Sequence, residues 1–119
     1  MSPLTPTPPS IMLHAHDGVA EPRLTALLLG IEEEGVPVEV HRREELNPLV
    51  LAHDAAVSSR LGIGIGVALD YVVITTERLP EGRPYMAEFL GRSDRIVGSN
   101  AARIVKRIPL RRSTKEGTR

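Results

Sequence analysis

The sequence predicts a three-layer α/β/α domain on a mostly parallel mixed sheet with one antiparallel strand. Short apolar runs alternate with helical stretches in the order β-α-β-α-β-β-(β)-α, the pattern of a sheet covered by helices on both faces. A tight turn at Asp70 joins the third and fourth runs and is too short for a parallel crossover, so that pair must be an antiparallel hairpin. The chain has 119 residues, 41% of them hydrophobic and 25% charged, which suits one domain with a real core.

Ile11 to His14 is an apolar run and reads as the first strand, with His14-Ala-His16-Asp17-Gly18 leading into a loop. A helix follows from about Pro22, a favoured first-turn residue, to Glu34, and Gly35 stops it. Val38 to His41 alternates and reads as the second strand. Pro48 opens a second helix to about Ser59, with Leu49, Ala52, Ala56 and Val57 predicted inward. Ile63 to Ala68 and Tyr71 to Thr75 are strands three and four, and Tyr85 to Phe89 is a short edge strand. The last helix is predicted from Ser99 or Asn100 to Arg107, stopped before Pro109, with Ala101, Ile104, Val105 and Ile108 inward. Residues 11–111 form the domain. Four prolines in residues 1–10 predict a disordered tail, and residues 112–119 read as a flexible basic tail.

Composition excludes several classes of function. The chain has no cysteine, so disulfides and thiolate metal sites are out, and a reducing compartment fits. No run approaches the roughly 18 apolar residues of a membrane span. The first residues lack the form of a secretion signal, so a cytoplasmic location is expected. With one Phe, two Tyr and no Trp, few rings are available to stack bases, and nucleic acid is not the expected partner. The formal net charge is zero, but residues 1–59 carry three Arg against nine acids and residues 60–119 carry twelve Lys or Arg against six. That polarity suits charge-complementary association.

Gly62-Ile-Gly-Ile-Gly66 is no phosphate loop, because position 67 is Val and no GK[ST] follows. Its glycines share one strand face and predict a close-packed helix. His14 and His16 flank a strand end without enough ligands for a metal, and His41 and His53 show no relation to them. No Ser/His/Asp order or carboxylate pair points to catalysis. Arg103, Lys106 and Arg107 are predicted exposed on the last helix, a candidate basic contact surface.

The first helix is the unusual element. Leu24, Leu27, Leu28 and Ile31 make the core stripe. Glu33 lies opposite that stripe, above Leu29 and Ala26, with Gly30 beside them. Glu32 and Glu34 flank it. Three acids at a helix C-terminus oppose the helix dipole. An outer face of Ala, Leu and Gly suggests a second cover, so Ala26, Leu29, Gly30, Glu32 and Glu33 form the candidate partner patch, with Glu33 reaching a cation.

The segments LLLGIEEEGVPVEV (27–40), SSRLGIGIGVALD (58–70) and GSNAARIVKRIPLR (98–111) resemble the small, or β, subunit of diol and glycerol dehydratase reactivating factors. The order and spacing match over roughly residues 11–111. The resemblance implies a non-catalytic chain whose fold is similar to the medium subunit of coenzyme B12-dependent dehydratases and to anticodon-binding domains. It implies an ATPase-like large subunit as partner, two large with two small, and a dehydratase reached indirectly by subunit exchange that frees damaged cobalamin. It implies that Glu33, the middle glutamate, ligates Mg2+ or Ca2+ shared with the large subunit. It also suggests association with a bacterial microcompartment, and a homodimer through the same patch when the chain is isolated. A cobalamin-associated medium-subunit-like chain and a small nucleic-acid-binding α/β domain are the alternative readings.

Overall fold

The computed structural model describes residues 8–112. Five strands form one sheet in the order β2-β1-β3-β4-β5. β1 (Ile11–His16) lies parallel to β2 (Val38–Arg43) and to β3 (Ile63–Ala68). β4 (Tyr71–Thr76) runs antiparallel to both β3 and β5 (Met86–Phe89), so β4 alone opposes the other four strands. A 3-10 turn, Glu21–Leu24, leads into α1 (Thr25–Glu33), α2 (Pro48–Ser58) precedes β3, and α3 (Asp94–Lys106) closes the fold. This is the predicted layered architecture. Residues 1–7 and 113–119, which hold most of the two expected tails, lie outside the described residues. Among the described residues no helix is long and apolar enough to cross a membrane.

Strand parity assigns the layers. Ile11, Leu13, Ala15, Ile63, Ile65, Val67, Val72 and Ile74 face one way and join Leu24, Leu27, Ile31 and Val97 in a buried aliphatic core beneath α1 and α3. On the other face α2 lies on Gly64 and Gly66. A Cβ at either glycine would collide with the backbone at Ala52, so only glycine lets the helix this close. The GIGIG run is therefore a helix seat, as its spacing predicts. Gly62 is the exception: it precedes the strand in a turn with φ +74°.

Two helices differ from their sequence reading. α2 starts where predicted, because Pro48 occupies its first turn and the Asn47 side chain accepts from Leu49 N at 2.9 Å. Its buried side is Leu51, Ala52, Ala55 and Ala56, while Leu49 is half-buried and Val57 is 60% exposed. The stripe is rotated because the glycine seat selects small alanines rather than branched residues. α3 begins at Asp94, a turn and a half earlier than predicted, since Gly98 inside it reads as a breaker yet is a packing contact. It ends in a left-handed Arg107 (φ 60°), with Ile108 N bonding Arg103 O at 3.1 Å, and Ile108 is exposed rather than inward.

Candidate partner interface

The site is built where α1 ends against α3. The two helices touch through glycine: a Cβ on Gly30 would meet the Arg95 carbonyl and Ser99 N, and one on Gly98 would meet the Leu27 carbonyl. Contacts then advance together along both helices to Glu34, which Ser99, Arg103 and Lys106 all reach. Gly30 is thus buried inside the chain, and its expected place in the partner patch is overturned. The helix wheel was oriented on the sheet alone, whereas α1 has a second intramolecular neighbour on its glycine flank.

The three glutamates have three different environments. Glu34 is 11% exposed at its side chain and accepts from Ser99 Oγ at 2.6 Å, Arg103 Nε at 2.9 Å and Lys106 Nζ at 3.0 Å. Those three donors hold its pKa down to about 2. Lys106 Nζ also donates to the Glu34 main-chain carbonyl at 2.8 Å, placing a cation on the α1 C-terminus, where the helix dipole favours one. Glu33 is paired with Arg95: Nε donates to Oε1 at 3.1 Å and Nη2 to Oε2. This hydrogen bonding lowers the Glu33 pKa, and the nearby charge of Arg111 adds to the effect. Glu32 is simply exposed.

The basic surface expected at Arg103, Lys106 and Arg107 is corrected accordingly. Arg103 and Lys106 spend their charge on Glu34, and of the three only Arg107 projects outward without a bond to that carboxylate. The wheel placed them away from the sheet correctly but could not show that α1 lies beside them. Arg95 stands before the helix start that the sequence predicts, so its place on α3 emerges only in the fold. Its signal is the i, i+4 series Arg95, Ser99, Arg103, which puts one polar row on a single α3 face.

What stays outward is a compact patch. Leu29 is 43% exposed, Ala26 is half-buried, and Glu33 and Arg95 lie beside them. Ala26 also lines a shallow groove whose other wall is Gly91 to Ile96, at the start of α3. Asn100 holds Arg111 near this region: its amide donates to Arg111 O at 3.0 Å and accepts from Arg111 N at 2.6 Å. Among the described residues no group of three His, Cys, Asp or Glu could hold a metal by itself. Hard divalent ions take carboxylate oxygens, and Glu33 offers one exposed carboxylate at this edge of the fold.

His14 and His41 form a separate cluster on the α2 side of the sheet. His14 Nδ1 accepts from Arg43 Nη1 at 2.7 Å, and Arg43 in turn pairs with Asp54 of α2 at 3.1 Å. His41 meets the His14 ring edge-on at 5.7 Å, a relation the sequence spacing did not show. Burial, then Arg43 and His41, push the His14 pKa down, so His14 acts as a neutral acceptor that ties strand to helix.

The geometry matches a known group of proteins. The family model described as dehydratase medium subunit matches residues 8–111. The propanediol dehydratase-reactivating factor small subunit of Citrobacter freundii is 34% identical over 108 residues, covering 88% of this chain and 92% of that one. The diol dehydratase-reactivating factor small subunit of Klebsiella michiganensis is 37% identical over 95 residues, 77% of this chain and 76% of its own. The chain belongs to the family of dehydratase-reactivating factor small subunits. A solved diol dehydratase-reactivating factor complexed with ADP and Mg2+ superposes on this fold with a TM-score of 0.83 at 33% identity, over 89% of this chain and all of that one. A glycerol dehydratase reactivase does so with a TM-score of 0.82 at 32% identity, over 88% of this chain and 98% of that one.

Proposed function

We propose that the chain is the non-catalytic small subunit of a chaperone-like, ATP-dependent reactivating factor. Its large subunit carries the ATPase. The assembly, two large and two small subunits in the cytoplasm or with a bacterial microcompartment, releases damaged cobalamin from inactivated diol or glycerol dehydratase by subunit exchange. The observation that carries the reading is the likeness to a reactivating-factor chain over 89% of this chain, with Glu33 on the outward side of α1 as the carboxylate at hand. Glu33 supplies one ligand to Mg2+ or Ca2+ held mainly by the large subunit, and Leu29 and Ala26 supply apolar contact beside it.

The test is co-purification of the full chain with its large subunit. Association is expected with Mg2+ present and is expected to fall in EDTA or with Glu33→Ala. Full-strength pairing by Glu33→Ala would remove the metal role. A medium-subunit-like role that touches cobalamin is the second reading, favoured by the name of the matching family model. A cobalamin absorbance band retained by the isolated chain through gel filtration would establish it.

A further inference from the structure

We propose that Arg95 is a surrogate for the partner's cation on Glu33, and that docking exchanges the guanidinium for that cation. The inference rests on reading Glu33 as the interface carboxylate. The guanidinium engages both Glu33 oxygens, through Nε and Nη2. A guanidinium on both oxygens takes up one lone pair of each and neutralises the carboxylate, and an ion arriving there would meet the Arg95 and Arg111 charges in place. Arg95 therefore competes with an incoming cation for Glu33, and its departure frees the carboxylate for a shared site.

The pair is suited to leaving. Its side chains are 38% exposed at Glu33 and 62% at Arg95, and solvent-exposed ion pairs are individually weak. The pair bridges α1 and α3 but the helix contact does not depend on it, since Gly30, Gly98 and the donors to Glu34 also hold the two together. In the free chain the guanidinium neutralises a carboxylate that would otherwise sit bare near the carbonyl end of α1. Leu29 lies one turn before Glu33 on α1, and Arg95 lines the groove along Gly91 to Ile96, so a surface that spans Leu29 and the groove also covers the pair. Covering an intact, self-satisfied ion pair gives up its hydration without a new bond in return. Exchange avoids that: Glu33 takes the incoming cation, and Arg95 swings on its long stem to the rim, where water or a partner carboxylate receives it.

The experiment measures affinity of the full chain for its large subunit by titration calorimetry in saturating Mg2+ and in EDTA. If Arg95 is a surrogate, Arg95→Ala binds up to about five-fold tighter than wild type, because a competing state is removed. Arg95→Lys, which keeps a cation but loses the two-point grip, falls between them. In a Glu33→Gln background Arg95→Ala makes no difference. Far-UV circular dichroism and melting curves check that each variant is folded, and Arg95→Lys serves if Arg95→Ala is not. Binding that stays EDTA-sensitive while Arg95→Ala and Arg95→Lys are unchanged or weaker overturns the surrogate and leaves the Glu33 reading standing. Binding that ignores both EDTA and Glu33→Gln overturns the Glu33 reading, and the surrogate with it.

Discussion

Gly30 shows how one atom decides a helix pair. The Arg95 carbonyl occupies the space a Cβ would fill, so Gly30→Ala forces α1 from α3. Overpacking of this kind costs about 1–3 kcal/mol, and a lower urea midpoint for Gly30→Ala, with an unchanged denaturant slope, is the expected result. Leu69 presents the opposite case. It turns the β3–β4 hairpin at φ 57°, in the left-handed region that branched and bulky side chains disfavour, and it is exposed. Leu69→Asn is expected to raise stability by about 1 kcal/mol by relieving that strain, read as a higher melting temperature. Neither residue's situation is visible in the local sequence. Gly30 looks like part of an outer face until α3 is laid beside it, and Leu69 looks like the end of an apolar strand.

At the level of the elements, α1 and α3 form an electrostatic pair. The acidic end of α1 is met by three α3 cations: Arg95 on Glu33, and Arg103 and Lys106 on Glu34. The lowered Glu34 pKa makes this pairing pH-dependent in a definite direction. The folded value is about 2 against an ordinary 4.5, so the stabilisation is complete above about pH 4.5 and disappears as pH falls towards 2. Urea midpoints measured from pH 7 to pH 2.5 are expected to drop through that window in the wild type. Glu34→Gln is expected to be less stable at pH 7 and flatter over the same window. A Glu34→Gln curve parallel to wild type would show that the acid sensitivity lies elsewhere.

For the whole molecule, the division of charge between an acidic first half and a basic second half reads differently once folded. Sequence alone suggested a surface for partners. Part of that polarity is used within the chain, where Glu33 and Glu34 at the end of α1 meet Arg95, Arg103 and Lys106 of α3. Beside that junction lies the exposed Leu29, with Ala26 and the Glu33–Arg95 pair, the patch proposed for association. Leu29→Asp is therefore expected to leave the circular dichroism spectrum and melting temperature near wild type while abolishing co-purification with the large subunit. Loss of fold in that variant would mean the leucine serves the chain's own packing.

The sequence by itself determined the element order, the hairpin and the three-layer architecture. These rest on local periodicity, turn length and glycine spacing, which act within a few residues of one another. It also singled out the end of α1 as anomalous, since three acids at a helix C-terminus conflict with the dipole whatever the fold. Only the tertiary structure decided what answers that anomaly. The answering cations lie more than 60 residues away in sequence, and their meeting with α1 depends on two glycines that let the helices touch. Burial of Gly30, the pairing of Arg103 and Lys106, and the Arg95 grip on Glu33 all follow from that long-range approach, and no pattern within either segment specifies it.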